Sequence, residues 1–245
     1  MISKKVGTVS GLNRFPVKSM RGESIEEAHI YWYGFDGDRR YAFVRGDIVS
    51  SFPWLTGRNV PQLVQYTPRF VKPTSVINSP VEVQTPNGRI LPITSPELKA
   101  EIAEAYGKEI SLIQIQRGTF DAQQLSIMSL ATVTALEQMM GMDIGNGRFR
   151  QNIIIKTENN YAFEEEEWID SILTFGNRPD SARVRLNRRI KRCVMITIDP
   201  ETAEKDASIL KTVAQQRDSC VGVYASAEKV GTIRVGDPIF LTNSA

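Results

Sequence analysis

Cys193 is one of two cysteines in 245 residues, and it stands at the end of a run of bases. Arg178, Arg183, Arg185, Arg188, Arg189, Lys191 and Arg192 place seven cations in fifteen positions, and the thiol follows the last of them directly. Guanidinium groups near a thiol favour its thiolate, which is the form that attacks electrophiles and ligates metals. Arginine forks also hold phosphate in a bidentate grip. A soft thiolate beside phosphate-binding bases suits a phosphorylated organic cofactor that brings a soft metal with it. The bland alternative is that Cys193 is a small buried hydrophobe opening an apolar stretch while the arginines face solvent.

Further donors lie elsewhere in the chain. The stretch "RFPVKSMRGE" sets Lys18 and Ser19 in a turn after a proline, "FDGDRRYAF" sets Arg39 and Arg40 before a strand, and "RFRQN" offers Arg148, Arg150 and Asn152. Taken singly, each is equally a turn cap or a solvated charge.

The inventory excludes several chemistries. With one histidine, His29, and no C-x-x-C, neither a zinc site of Cys and His ligands nor a four-cysteine iron–sulfur cluster can be assembled. A single thiolate ligand remains open if an organic cofactor completes the coordination. A net charge of +2, with no aromatic residues interleaved among the bases, gives no footing for nucleic acid. No apolar run approaches the roughly 18 residues of a membrane helix. The N-terminus "MISKKVGTVSGLNRF" lacks a signal peptide's apolar segment, so a cytoplasmic protein with reduced cysteines is expected. Cys220, with no basic cluster beside it, reads as a buried structural thiol. "EEEEW" reads as a solvated loop beside a packing Trp168, and His29 as a residue on a strand surface.

The elements that must position these groups are mostly strands. Over the first 115 residues, short β-branched and aromatic pieces alternate with Gly, Pro and Asp, and "TPNGRI" carries an Asn-Gly hairpin signal. One helix interrupts them at "SPELKAEIAEAYG". Ser95 caps it, Pro96 fits its first turn, Gly107 ends it, and Leu98, Ile102 and Ala105 share its apolar face. "SLATVTALEQMMG" predicts a second helix, with Leu130, Val133, Leu136 and Met140 on one face, and "DASILKTVAQQRD" a third. "RFRQNIIIKT" predicts a strand, as does the alternation Ala182, Val184, Leu186 against Arg183, Arg185; the apolar stretch after Cys193 is expected to be a core strand. Many short strands with few helices give a mainly β (α+β) chain of barrel-like units with a few covering helices.

The order of these segments resembles a known family. "RFPVKSMRGE…GFDGDRRYAFV" is similar to the N-terminal β-barrel that precedes a MOSC domain. "LSIMSLATVTALE", "RFRQNIII", "EEEEW", "RCVMITIDPETAEKD" and "GVYA…GTIRVGDPIFL" resemble successive motifs of the MOSC domain itself. The resemblance implies an N-terminal β-barrel domain over residues 1–115 and a MOSC β-barrel over 116–245. It extends to the mitochondrial amidoxime-reducing components and their bacterial counterparts. These bind molybdenum cofactor (Mo-molybdopterin) through a protein thiolate and reduce N-hydroxylated compounds such as amidoximes and hydroxylamines. Carried over residue by residue, it makes Cys193 the metal ligand and catalytic residue, and Arg192 its cofactor-binding neighbour. Lys18 and Ser19 become pterin-phosphate contacts. Arg40, Ser129 with Leu130 and Thr132, and Arg150 with Asn152 complete the cofactor-binding set. Gln151 stands where the family has proline, and Ala203 where it often has glycine, while Asp199 is expected to order its loop. The implied partners are a small N-hydroxylated substrate and a separate electron donor of ferredoxin, flavoprotein or cytochrome type. A cofactor or sulfur carrier without turnover is the competing reading.

Overall fold

In the computed structural model, which describes residues 3–73 and 75–242, the first strand of the chain closes a barrel built mostly from its second half. Seven strands form it: β1 (Lys4–Arg14), β2 (Leu125–Ser129), β3 (Ile153–Thr157), β4 (Ile172–Phe175), β5 (Arg183–Lys191), β6 (Cys220–Lys229) and β7 (Pro238–Thr242). Their order around the barrel is β3-β2-β6-β5-β4-β7-β1, and a β1–β3 ladder seals the ring. Every pairing is antiparallel except β2 with β3. A parallel pair needs a crossover, and α2 (Leu130–Met140) supplies it.

Alternation fills the barrel. Val9, Leu12, Leu125, Ile127, Ile153, Ile155, Leu173, Phe175, Val184, Leu186, Val223 and Ile239 pack into one buried cluster. β2 is buried on both faces. Leu125 and Ile127 point into the barrel, while Met128 joins a second cluster with Val133 and Leu136 of α2 and Ile209 and Val213 of α3 (Ala207–Arg217). Trp168 packs against the barrel core as expected.

The other unit has its own core, in which Val17, Met20, Phe43, Leu55, Leu63, Phe70, Val83, Leu98 and Ile102 meet. Two small sheets enclose it, one pairing Tyr41–Arg45 with Ile110–Gln114, the other joining Thr67–Phe70, Val81–Gln84 and Ile90–Pro92. The Asn-Gly hairpin lies between the last two strands. α1 (Pro96–Tyr106) covers the unit: Ser95 accepts from the Glu97 and Leu98 amides, and Gly107 closes the helix at φ 78°. Ala105 is exposed, so the buried stripe is narrower than its sequence pattern implies.

A boundary at residue 115 divides the sequence but not the sheets. Besides β1, the strands Glu23–Ile25 and Glu27–Tyr31 belong with the barrel half, pairing with β1 and with Gly231–Arg234. His29 lies exposed on the second of these. The chain therefore crosses between the units three times before Tyr41, and residues 15–22 run along the seam. There Lys18 N–H donates to Tyr41 O (2.8 Å), Tyr41 N–H to Pro16 O (3.1 Å) and Arg39 N–H to Phe15 O (2.5 Å).

The loop after Cys193 corrects an expectation. Val194–Thr197 is a 3₁₀ turn, not a strand, and its Ile196 packs against the α2–α3 cluster. Asp199 orders the next turn, accepting from the Glu201 amide (2.7 Å) and the Thr202 amide (3.0 Å) through Oδ1. Ala203 closes this turn at φ 62°, a left-handed conformation in which Cβ crowds the carbonyl. Ala203→Gly should therefore raise unfolding free energy by about 0.5–1 kcal/mol, read as a higher urea midpoint with an unchanged slope.

Candidate functional site

Where the seam meets the open end of the barrel lies a cavity of about 290 Å³. Lys18 and Ser19 enter it from the seam, Arg39 from the turn before Tyr41–Arg45, and Arg150 and Asn152 from the loop before β3. Arg188, Lys191, Arg192 and Cys193 come from the end of β5 and just beyond it. Three of these groups are aimed by strained backbone: Ser19, Arg39 and Arg150 have φ of 66°, 49° and 54°. Non-glycine residues hold such angles only where the surroundings over-determine them, and such positions cluster at functional sites.

The walls carry eight bases, adding Arg58 and Arg148 to those named, and a single carboxylate, Asp121. A chain with a net charge of +2 thus concentrates its positive charge in one place. The protein steadies these cations with dipoles and ring faces. Arg150 Nη1 donates to Met20 O (2.6 Å), and its guanidinium lies 4.4 Å from the Phe15 ring centre, whose ring Arg39 also approaches at 4.7 Å. Arg192 donates from Nε to Val221 O (2.9 Å) and from Nη1 to Phe149 O (3.1 Å). The Nη2 atoms of both arginines are buried without a hydrogen-bond partner among the described residues, as are nitrogens of Arg14, Arg40 and Arg217 elsewhere. A buried guanidinium N–H left unpaired costs more than one never buried. Burial pushes Arg150 down to about 9, helped by the neighbouring Arg39 charge, and Arg192 down to about 10. Burial likewise lowers Lys18, against the opposing pull of Asp121. An anion in the cavity would relieve all three.

Cys193 is half-buried at the wall, and its sulfur raises the nearby Arg58 guanidinium above the ordinary arginine value. Gly57 permits this approach. A Cβ there would stand 3.0 Å from Met195 and Ile198 side chains, in the turn that follows Cys193.

Six of the nine residues singled out from sequence share this cavity: Lys18, Ser19, Arg150, Asn152, Arg192 and Cys193. Asn152 is fully engaged there. Its Oδ1 accepts from Ser126 (3.0 Å) and its Nδ2 donates to Asp38 (3.1 Å) and Asn13 O (3.3 Å), so it braces the wall. The other three are elsewhere. Arg40 is 1% exposed and turns away, donating to Asp36 (3.1 Å), Ile77 O (3.2 Å) and Val76 O. Arg39, with its left-handed backbone, takes the cavity position instead. Ser129 and Thr132 are wholly buried at the α2 N-terminus. Ser129 Oγ accepts from the Thr132 amide (3.1 Å), and Glu165 accepts from the Ser129 amide (3.2 Å) and the Thr132 hydroxyl (3.0 Å).

The acidic run is thus no solvated loop. Glu165 is buried under α2, and Glu166 pairs with Arg189 (2.8 Å) and Arg217 (2.6 Å). The basic run disperses for the same reason. Arg178 pairs with Asp237 (2.5 Å), Arg185 with Glu228 (3.1 Å) and Arg189 with Glu166, leaving Arg188, Lys191 and Arg192 for the cavity. Cys220 is only half-buried, and its carbonyl accepts from Arg189 (3.4 Å). Arg58, Asp121 and Tyr224 also line the cavity and went unread in the sequence. Only Gly57, a glycine beside an arginine, hints at one of them.

Family models match the chain along most of its length: a MOSC N-terminal beta barrel domain over residues 6–127 and a MOSC domain over residues 114–240. The chain belongs to the MOSC family. Among curated MOSC relatives, mitochondrial amidoxime reducing component 2 of Bos taurus is 25% identical over 97% of this chain and 84% of that protein. The human component 2 is 24% identical with the same coverage. Of solved structures, the YUAD protein from Bacillus subtilis superposes with a TM-score of 0.54 at 12% identity over the whole of both chains, a likeness of fold. No described helix of this MOSC protein is long and apolar enough to cross a membrane, and the described residues contain no cluster of three or more His, Cys, Asp or Glu able to hold a metal.

Burial holds the Glu165 carboxyl above the usual carboxylate range, although the Thr132 and Ser129 donors oppose the shift. Between the unfolded value of 4.5 and the raised folded value, the folded state keeps a proton that the unfolded chain has shed. Stability from this group therefore falls as pH rises through that window and levels off above it. Urea unfolding of the wild type should show this loss as pH rises above the unfolded value of 4.5, and Glu165→Gln should flatten it.

Proposed function

We propose that this MOSC protein is a molybdenum-cofactor-dependent reductase of N-hydroxylated compounds, supplied with electrons by a separate donor protein. One observation carries the reading: a thiol and eight basic side chains, against a single carboxylate, line the same cavity. A phosphorylated, anionic organic ligand answers the excess of cations, and a soft metal answers the sulfur. The names of the curated relatives, amidoxime reducing components, support the substrate class.

The residues fit such a ligand. Lys18, Ser19, Arg39, Arg150 and Arg192 would hold its phosphate and anionic edges, and Cys193 would bind the metal. When bound, the cofactor supplies a metal-centred couple able to pass two electrons to an N–O bond. The protein's part is binding, orientation and electrostatics. In the net reaction, R–NOH takes up two electrons and two protons and gives R–NH and water. The Tyr224 hydroxyl, raised by burial and so protonated at neutral pH, is one proton-bearing group on the cavity wall. Cys193 is half-buried rather than enclosed, which leaves the metal end within reach of a donor of ferredoxin, flavoprotein or cytochrome type.

The test is molybdenum content and benzamidoxime reduction after expression in a host that makes the cofactor. We expect near-stoichiometric metal and turnover with an artificial reductant. Cys193→Ser should lose both with an unchanged circular dichroism spectrum, and retained turnover in that variant overturns the assignment. Arg150→Ala removes a charge-assisted contact worth roughly 1.5–3 kcal/mol and should lower cofactor occupancy at least tenfold under limiting supply.

A further inference from the structure

Asp121 stands out against the rest of the cavity. It is the one carboxylate on a wall of eight bases, and its side chain is 50% exposed. Its Oδ1 accepts from Lys18 Nζ at 2.5 Å, and no described residue donates to its other oxygen. Its charge also reaches Arg58, Arg150 and Tyr224 across the cavity.

Lys18 has two kinds of partner. One is fixed. Its Nζ donates to Thr119 O at 2.6 Å, and Thr119 is itself tied down, donating to Arg39 O from its amide and its hydroxyl, both at 2.9 Å. The other is Asp121, two residues further along the same loop, exposed and held by nothing else. The ammonium is only 6% exposed, and the Phe52 and Trp54 rings lie 5.9 and 5.8 Å from it. Such a buried cation needs an anion beside it, and Asp121 is the one the chain itself supplies.

We propose that Asp121 is an exchangeable carboxylate that occupies the anion seat of Lys18 in the free protein and yields it to the phosphate of an incoming ligand. The exchange makes the seat selective. A carboxylate ligand gains little by replacing a carboxylate. A phosphate monoester dianion brings more charge and three acceptor oxygens to Lys18 and to the Arg39 and Arg150 charges that act on it. Asp121 thus sets a threshold that excludes monoanions and dephosphorylated ligands. The proposal rests on the cavity being an anion seat, one part of the reading above, and not on the metal.

The experiment is calorimetric titration of the 245-residue, cofactor-free chain with inorganic phosphate and with acetate at pH 7.5. Asp121→Asn should bind phosphate at least tenfold tighter than wild type and acquire measurable acetate binding, so that the preference for phosphate falls. Asp121→Ala should behave alike, and both should keep the wild-type circular dichroism spectrum. In the Lys18→Ala background the gain from Asp121→Asn should drop below threefold. Unchanged or weaker phosphate binding in both Asp121 variants overturns the proposal. So does an equal gain without Lys18, because removal of any negative charge would then explain it. Neither titration involves molybdenum. Exchange in a protein that never loads the metal keeps this proposal and sinks the reductase, and the reverse pattern does the opposite.

Discussion

The structure depends on positive charge held out of water with too few anions beside it. Lys18, Arg150 and Arg192 are buried at the seam between the two units, and burial lowers all three. A folded chain tolerates this only where carbonyl dipoles and ring faces carry part of the solvation that water has given up. Met20 O, Phe149 O, Val221 O, Thr119 O and the Phe15 ring do so here. They come from both units, so the charge cluster and the domain seam are one feature.

That arrangement explains the architecture around it. The first strand of the chain lies in the barrel, and the residues directly after it, 15–22, line the seam. β5 delivers Arg192 and Cys193 to the same place from the far side of the barrel. Its ladder with β6 is irregular along the way, with register shifts at Leu186/Arg188 and Arg189/Lys191. Bulges of this kind re-aim side chains near sites. They divide the basic run, sending Arg189 to Glu166 on the outside and Arg192 inward.

Much of this was legible in the residues. Ser95, Pro96 and Gly107 bound α1, and the family motifs in order marked Lys18, Ser19, Arg150, Arg192 and Cys193, which share one cavity. The failures have physical causes. Arg39 and Arg40 are adjacent arginines, and only the left-handed φ of Arg39 decides which one faces the cavity. No local propensity announces that angle in an arginine. Ser129 and Thr132 have the composition of a phosphate-binding helix start, yet a buried carboxylate from well down the chain, Glu165, takes their donors first. "EEEEW" looks solvated because sequence counts its charges without showing the partners, which are Arg189, Arg217 and the α2 N-terminus. Asp121 and Arg58 sit in loops with no periodic signal, so only the closing of the two units reveals them.

The contrast between Arg148 and Arg150 shows how the protein separates scaffold from site. The two residues are two positions apart, and both line the cavity. Arg148 is saturated: Nε donates to Ile144 O (3.1 Å), Nη1 to Thr197 O (3.3 Å) and Nη2 to Asp199 (2.5 Å). Through Asp199 it fixes the loop after Cys193, and so the sulfur's place. Arg150, turned by its left-handed φ, keeps an N–H without a partner. Gln151 comes next, where the family has proline; it is 1% exposed and its amide has no partner at either end. Its Nε2 and the free Nη2 of Arg192 both flank Gly222, where a Cβ would stand 3.2 and 3.4 Å from them and 2.9 Å from Ile127 O. The left-handed φ of 72° and the close Ile127 carbonyl favour glycine there. Two of the unsatisfied groups, the Gln151 amide and Arg192 Nη2, thus lie beside the same glycine, while Arg148 bonds through all three of its nitrogens. A merely solvated basic patch would leave its cations exposed, whereas burial here lowers Lys18, Arg150 and Arg192 together.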